Sequence, residues 1–181
     1  MLFTETDLDG VWIVEASPFL DDRGAFARTF CTDEMARNAL EETFVQHSLS
    51  RSTLKHTLRG LHFQRAPHAE VKLVSCLHGA IWDVAVDLRP QSRNYLRWTA
   101  AELTADNMRQ LYIPQGFGHG FLSLTDNAVV GYLISTRYEP AAATGVRYDD
   151  PAIGIAWPAE PAAISQKDKD WPLLTDTAVP A

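Results

Sequence analysis

The stretch Val71-Lys72-Leu73-Val74-Ser75-Cys76-Leu77-His78-Gly79-Ala80-Ile81-Trp82-Asp83-Val84-Ala85-Val86-Asp87-Leu88 decides the fold. It holds two short runs rich in apolar and β-branched residues, Val71 to Val74 and Ile81 to Val86, on either side of a turn-forming His78-Gly79. Short runs of this kind, bounded by turn residues, read as β-strands. The same grammar recurs at Trp12-Ile13-Val14, Phe44-Val45 and Ala128-Val129-Val130, with turn chemistry at Asp21-Asp22-Arg23-Gly24, Pro90-Gln91-Ser92-Arg93-Asn94 and Thr125-Asp126-Asn127. Many short strands at such spacing predict a mainly β protein, a sandwich or a barrel. One helix is expected over Asp33–Glu42, with Thr32 as N-cap and Asp33 and Glu34 favourably placed in the first turn. From Pro140 onward, prolines at 140, 151, 158, 161 and 172 break up the pattern, so the remaining chain is expected to wrap the barrel as turns and short helices.

Bulk properties narrow the function. A length of 181 residues suits one domain spanning 1–181, and 46% hydrophobic with 22% charged residues excludes a disordered chain. The net charge of -7 argues against a general nucleic-acid binder while leaving room for a local basic pocket. Cys31 and Cys76 have no paired-motif spacing and read as reduced thiols. The start MLFTETDLDG lacks a basic region followed by an apolar run, and no apolar segment is long enough to span a bilayer, so neither secretion nor membrane insertion is expected and a cytoplasmic protein is.

The densest cluster of unusual residues is Arg59-Gly60-Leu61-His62-Phe63-Gln64, followed by Lys72 and then Pro114-Gln115-Gly116-Phe117-Gly118-His119-Gly120. On a strand, alternate side chains share a face, so His62 points with Gly60 and Gln64. If that face lines a barrel, the imidazole can exchange protons near neutral pH and the glycine leaves room for a ligand near the backbone. The spans Gly60–Gly79 and Pro114–His119 resemble the two cupin motifs, which imply a cupin-type jelly-roll β-barrel with short peripheral helices. Gln64 stands where a metal-binding cupin usually has its second histidine. An amide is a poor substitute for imidazole in holding a transition metal, so no metal and no other cofactor is expected.

With the further stretches Asp21-x-Arg23-Gly24-x-Phe26, Ser50-x-Ser52, Lys72-Leu73-Val74, Asp83 to Arg89, Asp150-Pro151, Trp157-Pro158 and Ser165-x-Lys167-Asp168, the chain resembles the dTDP-4-dehydrorhamnose 3,5-epimerase family over roughly residues 10–174, in the family's order. The resemblance implies an isomerase acting on a nucleotide-diphosphate-linked 4-keto-6-deoxyhexose, inverting C3, C5 or both, in deoxysugar biosynthesis such as that of dTDP-rhamnose for lipopolysaccharide. It implies His62 as base, Asp168 as its orienting partner, Lys72 as holder of the enolate oxygen and Tyr132 as proton donor. Taken singly, Lys72 reads as a solvated strand lysine, Tyr132 as a packed aromatic and Asp168 as part of a charged surface run; their order joins them. Arg23, Arg59, Lys167 and His119 match positions around phosphates and sugar, Gln46 and Ser48 a polar strand at the nucleotide, and Tyr138 the aromatic that stacks on the base. The family also implies a homodimer formed by exchange of an N-terminal strand.

Departures from the family pattern fall on the nucleotide and sugar side. Arg28 stands where glutamate is common, Ser48 where asparagine is, Ala143 where a second glutamate is, and Glu70 where glutamine is. Arginine only donates hydrogen bonds, so Arg28 would suit the N3 acceptor of cytosine better than the N3-H of thymine. The alternatives are therefore a monoepimerase of a CDP- or GDP-linked sugar and a non-catalytic nucleotide-sugar-binding cupin. A ketoisomerase usually has histidine where Gln64 stands, and a metal-dependent cupin dioxygenase is the weakest option.

Overall fold

The computed structural model describes residues 1–174; residues 175–181, which the one-domain expectation for 1–181 includes, lie outside the described residues. Along the chain come β1 (Leu2–Glu5), β2 (Trp12–Glu15), β3 (Phe19–Asp21), β4 (Gly24–Phe26), α1 (Thr32–Arg37), β5 (Gln46–Ser52), β6 (Thr57–Gln64), β7 (Lys72–His78), β8 (Ala80–Asp87), β9 (Trp98–Thr104), β10 (Arg109–Ile113), β11 (Phe117–Ser123), β12 (Ala128–Ile134), β13 (Ala143–Gly145), β14 (Ala163–Ile164) and α2 (Gln166–Lys169). One sheet runs β1-β2-β10-β7-β12-β5 and a second β13-β6-β11-β8-β9, with β14 added in parallel to β6; β3 and β4 form a separate hairpin. This is the mainly β, cupin-type barrel that the sequence motifs imply.

Strand alternation explains how the sheets meet. On β8, Ile81 and Ala85 face inward and pack with Val74 of β7, Leu111 of β10, Phe121 of β11 and Val130 of β12. The intervening Trp82, Val84 and Val86 face outward, where Leu61, Val146 and Trp157 cover them. The other sheet is covered in the same way: Val14, Leu73 and Tyr112 on its outer side meet Met35 of α1, with Phe30 and Phe44 alongside. Because each sheet has an apolar partner on both faces, its strands read as nearly continuous apolar runs and not as simple alternation. Each large side chain buried in this way contributes roughly 1.5–3 kcal/mol.

The expected helix is shorter and starts earlier. Cys31, in extended conformation, occupies the N-cap without a side-chain cap, and Thr32 is already helical. The end is set by Ala39, whose φ of 55° is left-handed. Ala39 N–H returns to Ala36 O at 3.0 Å and Leu40 N–H to Met35 O at 3.1 Å, the Schellman pattern. Leu40 thereby joins Met35 in the outer core cluster. Tertiary packing stops the helix where propensity alone would carry it on to Glu42. After Pro140 the chain is mostly turns, as expected, but it also supplies β13 and β14, both paired with β6.

Gly60 does not serve the purpose first suggested for it. Its φ is 129°, and a Cβ there would stand 2.5 Å from Gly120 Cα and 2.9 Å from His119 O. The close neighbour is the backbone of β11, not a ligand. Gly24 has a similar φ of 127° but open space around it. Gly60→Ala is therefore expected to lower the urea midpoint by more than Gly24→Ala does, with a loss above about 1 kcal/mol. Equal losses would mean that backbone strain, and not the approach of β11, is the constraint at Gly60.

Candidate active site

The polar residues of the sequence motifs converge on one cavity of about 870 Å³ between the sheets, within the roughly 300–1,000 Å³ of sites for small organic ligands. Alternation delivers them. Lys72 is in line with inward Val74 and Cys76 on β7, and Tyr132 with Ala128 and Val130 on β12. Register sets Tyr132 against Val74 and Ser48, and Ile134 against Lys72 and Gln46, so the polar ends of β5, β7 and β12 coincide. Across the cavity, His62 on β6 and His119 on β11 are cross-strand partners.

Asp168 arrives from the short helix α2. Ser165 is its N-cap, the Oγ accepting the Asp168 N–H at 3.1 Å. That cap fixes the first turn and turns the Asp168 carboxylate toward β6. There Oδ1 meets His62 Nε2 at 2.6 Å and Oδ2 accepts the Gly60 N–H at 3.4 Å. Burial raises the Asp168 pKa, but the hydrogen bond and charge of His62, with the Gly60 and Ser165 contacts, outweigh it and hold the carboxyl below its ordinary value. An ionised carboxylate only accepts, so His62 Nε2 carries the hydrogen and the ring presents Nδ1 as its basic nitrogen. The His62 side chain is 43% exposed, whereas that of Asp168 is 5% exposed.

Lys72 Nζ donates to His62 O at 3.0 Å and pairs with Glu70 Oε1 at 3.0 Å. An ammonium has three N–H groups, so one remains for a ligand. The Tyr132 hydroxyl shares a hydrogen bond with Ser50 Oγ at 3.0 Å. Burial raises the phenol's pKa well above its ordinary value, and the Asp83 charge adds to this while Ser50 and Arg59 oppose it. Tyr132 thus stays protonated across the physiological range. His119 Nε2 meets Asp83 Oδ1 at 2.8 Å, and its ring lies edge-on to Tyr132 with centroids 6.0 Å apart.

On the nucleotide side, Gln46, Ser48, Arg59, Tyr138 and Lys167 all line the cavity. Arg59 is braced by Ser52 Oγ at 3.3 Å and Arg51 O at 2.9 Å. Gln46 Oε1 accepts the Tyr138 N–H at 2.5 Å. Lys167 Nζ lies 5.5 Å from the centroid of the Trp171 ring. Arg23 and Arg28 are not brought to this cavity. Arg23, at the tip of the β3–β4 hairpin, is 90% exposed and pairs with Asp21, while Arg28 reaches Glu34 at 3.4 Å. Ala143 lines the cavity without a polar group to offer.

The Gln64 amide, at the position of a metal cupin's second histidine, is committed to the backbone: Nε2 donates to His68 O and Arg137 O, and Oε1 accepts the Glu139 N–H. It closes a loop beside the cavity. Two residues at the site had no role from sequence reasoning. Ser50 lies in the Ser50-x-Ser52 motif, and Asp83 is the one carboxylate in the apolar run Ile81 to Val86. A charge on the inward face of an otherwise apolar strand was the available signal.

Comparisons with known proteins give the chain's family. Residues 5–176 match the family described as dTDP-4-dehydrorhamnose 3,5-epimerase. A relative of that description from Methanothermobacter thermautotrophicus is 44% identical over 98% of this chain and 96% of its own. The Bacillus anthracis dTDP-4-dehydrorhamnose 3,5-epimerase, solved with TDP and PPi bound, superposes with a TM-score of 0.93 at 38% identity, covering 96% of this chain and 99% of that one. The Legionella pneumophila dTDP-6-deoxy-D-glucose-3,5-epimerase, solved with dTDP-4-keto-L-rhamnose, gives 0.91 at 36% identity, covering 96% and 93%. With the family match over residues 5–176 and relatives this similar over nearly the whole chain, the chain belongs to the dTDP-4-dehydrorhamnose 3,5-epimerase family and is an isomerase.

Proposed function

We propose that this epimerase acts on a dTDP-linked 4-keto-6-deoxyhexose, with His62 as base, Asp168 as its orienting partner, Lys72 at the enolate oxygen and Tyr132 as acid. The observation that carries the reading is that His62 and Tyr132 stand on different sheets and line one cavity. Inversion at carbon needs a proton taken from one face and returned to the other. His62 Nδ1 accepts the proton from the carbon beside the ketone, and the C–H electron pair moves into the carbonyl as an enolate. The remaining N–H of Lys72 holds the enolate oxygen. Tyr132 then gives its hydroxyl proton to the opposite face, and Ser50 hydrogen-bonds the phenolate left behind. No electrons are transferred to or from the sugar.

Arg59 and Lys167 provide cations for the diphosphate, His119 lies beside the sugar, Gln46 and Ser48 form the polar wall, and Tyr138, 62% exposed at the rim, offers a face for the base. A dTDP-linked substrate is supported by the nucleotide bound in the Bacillus anthracis structure. Rhamnose biosynthesis is the setting that the family name suggests, and a cytoplasmic location fits a chain in which, among the described residues, no helix is long and apolar enough to cross a membrane. We take 1–181 as one domain.

A homodimer completes the reading. Phe19, Leu20 and Phe26 of the hairpin are 77%, 78% and 76% exposed, and Leu49 and Leu77 on the outer side of β5 and β7 are 64% and 52% exposed. An exposed apolar hairpin and an exposed apolar stretch of sheet suit a reciprocal contact between two copies. In such a dimer the hairpin carries Arg23, and Arg28 just after it, to the partner's cavity.

Three outcomes test these statements. With dTDP-4-keto-6-deoxyglucose in heavy water, NMR is expected to show deuterium entering at C3 and C5, lost by at least about 10³-fold in His62→Ala; entry at one carbon makes the chain a monoepimerase, and no entry with any nucleotide sugar makes it a binding module. Among dTDP, UDP, CDP and GDP forms, the dTDP sugar should have the highest kcat/KM, and a CDP preference would assign base reading to Arg28. Light scattering should give a dimer for the natural chain and a monomer for the Phe19→Asp/Phe26→Asp variant, which should also lose most of its activity; an unchanged mass would place the hairpin outside the interface.

A further inference from the structure

The reading above leaves one buried charged pair without a task. Asp83 is 0% exposed and lies beneath His119, which is 5% exposed and lines the cavity. Asp83 Oδ1 contacts His119 Nε2 at 2.8 Å, while Oδ2 is buried with no hydrogen-bond partner among the described residues. An ionised carboxylate so placed has one hydrogen bond to offset its desolvation, against the two or three usual for a stable buried anion. Purely structural buried carboxylates in the same chain are better satisfied: Asp87 receives Arg89 and Ser92, and Asp150 receives the backbone N–H groups of Ala152 and Leu174.

Proton bookkeeping gives the pair a function. Burial raises the pKa of Asp83, against the lowering effect of His119 and Lys72. With Asp83 0% exposed and its Oδ2 buried without a partner among the described residues, one proton more than ionised aspartate plus neutral imidazole would relieve the desolvation of that carboxylate. That proton has two places to sit. With Asp83 ionised and His119 an imidazolium, both ring nitrogens bear hydrogen. With Asp83 neutral and its O–H donated to Nε2, the single ring hydrogen must be on Nδ1. In either arrangement Nδ1 carries a hydrogen. Among the described residues Nδ1 has no protein partner, and the ring edge stands beside Tyr132 on the cavity wall.

We propose that Asp83 is a positioning residue that keeps a hydrogen on His119 Nδ1, making His119 a fixed donor to the oxygen that becomes anionic when the substrate's ketone enolises. His119 would share that oxygen with Lys72. The inference rests on the epimerase reading, and it adds a neutral-pair donor to the oxyanion site where Lys72 alone was assigned.

The ring nitrogens of His119 decide the matter without substrate. In protein labelled with nitrogen-15 at histidine, long-range proton–nitrogen correlation spectra at neutral pH are expected to show His119 Nδ1 in the protonated range, assigned by its loss in His119→Phe. A His119 Nδ1 in the unprotonated, lone-pair range would overturn the proposal. For the chemistry, Asp83→Leu and His119→Phe should each lower kcat about 10²-fold with KM little changed, and the double variant should be no slower than the worse single, as for groups that act as one unit. Multiplying effects in the double variant, or single variants that change KM alone, would overturn it too. Failure of the natural protein to exchange deuterium at any sugar carbon would instead sink the epimerase reading, while the nitrogen spectrum would still report the state of the pair.

Discussion

Everything in the site depends on the two-residue alternation of strands closed face to face. One side of each strand must fill the lumen, and along β7 and β12 that side changes from apolar to polar: Cys76 and Val74 give way to Lys72, and Ala128 and Val130 give way to Tyr132. Since antiparallel register puts Tyr132 against Val74 and Ile134 against Lys72, both changes occur at the same end of the barrel. A one-residue slip in either strand would turn the lysine or the tyrosine to the outside and drive apolar neighbours into solvent. The burial of Val74 and Val130 therefore fixes the catalytic register as firmly as it fixes the core.

The second constraint is electrostatic. A cavity lined by Lys72, Glu70, His119, His62 and Asp168, with Asp83 buried beneath His119, puts many ionisable groups in a low-dielectric space, where an unpaired charge is costly. The structure meets this by pairing: Lys72 with Glu70, His119 with Asp83, His62 with Asp168. Pairing also divides the groups by role. Both carboxylate oxygens of Asp168 are partnered, Oδ1 by His62 and Oδ2 by the Gly60 N–H, and its backbone N–H is anchored by the Ser165 cap, so it serves as a fixed anion that orients the base. Among the described residues, Glu70 and Asp83 each leave one oxygen buried without a partner. Their partners, Lys72 and His119, are the groups that line the cavity.

How much of this was legible depended on whether a residue's neighbours in the chain are also its neighbours in space. The strands around Val71 to Leu88 were readable because alternation and turn chemistry are local, and alternation put His62 on one face with Gly60 and Gln64; that Lys72 faces the cavity came only from the family resemblance, since alone it reads as a solvated strand lysine. The helix was misjudged at its end because the residue that stops it, Ala39, adopts a left-handed φ so that Leu40 can reach the outer core. Gly60 was readable as special but not in its purpose, since what presses on it is Gly120, distant in sequence. Asp168 sits in a charged run, Lys167-Asp168-Lys169-Asp170, that looks like surface; only the Ser165 cap and the fold of α2 back onto β6 make it 4% exposed. Arg23, which matched the family motif, and Arg28, which departed from it, both lie outside the cavity of their own chain, which a sequence comparison cannot distinguish from lying inside it.

An epimerase must keep a base free of its proton and an acid in possession of one within the same small space, and the environments of His62 and Tyr132 differ in the way this requires. His62 is nearly half exposed along its side chain and backed by an anion, so its ring is hydrated at one edge and can take up a proton without being left as an unpaired buried cation. Tyr132 is enclosed, with Ser50 as its hydrogen-bond partner and a carboxylate in its field, so loss of its proton is resisted until a carbanion-like carbon stands ready to receive it. The difference is one of enclosure: 43% of the His62 side chain is open, whereas the Tyr132 hydroxyl is held by Ser50 from the neighbouring strand β5. Exchanging the two side chains would put the base where it could not gain a charge and the acid where water would level it. The assignment of roles is thus a property of the barrel's architecture as much as of the residues themselves.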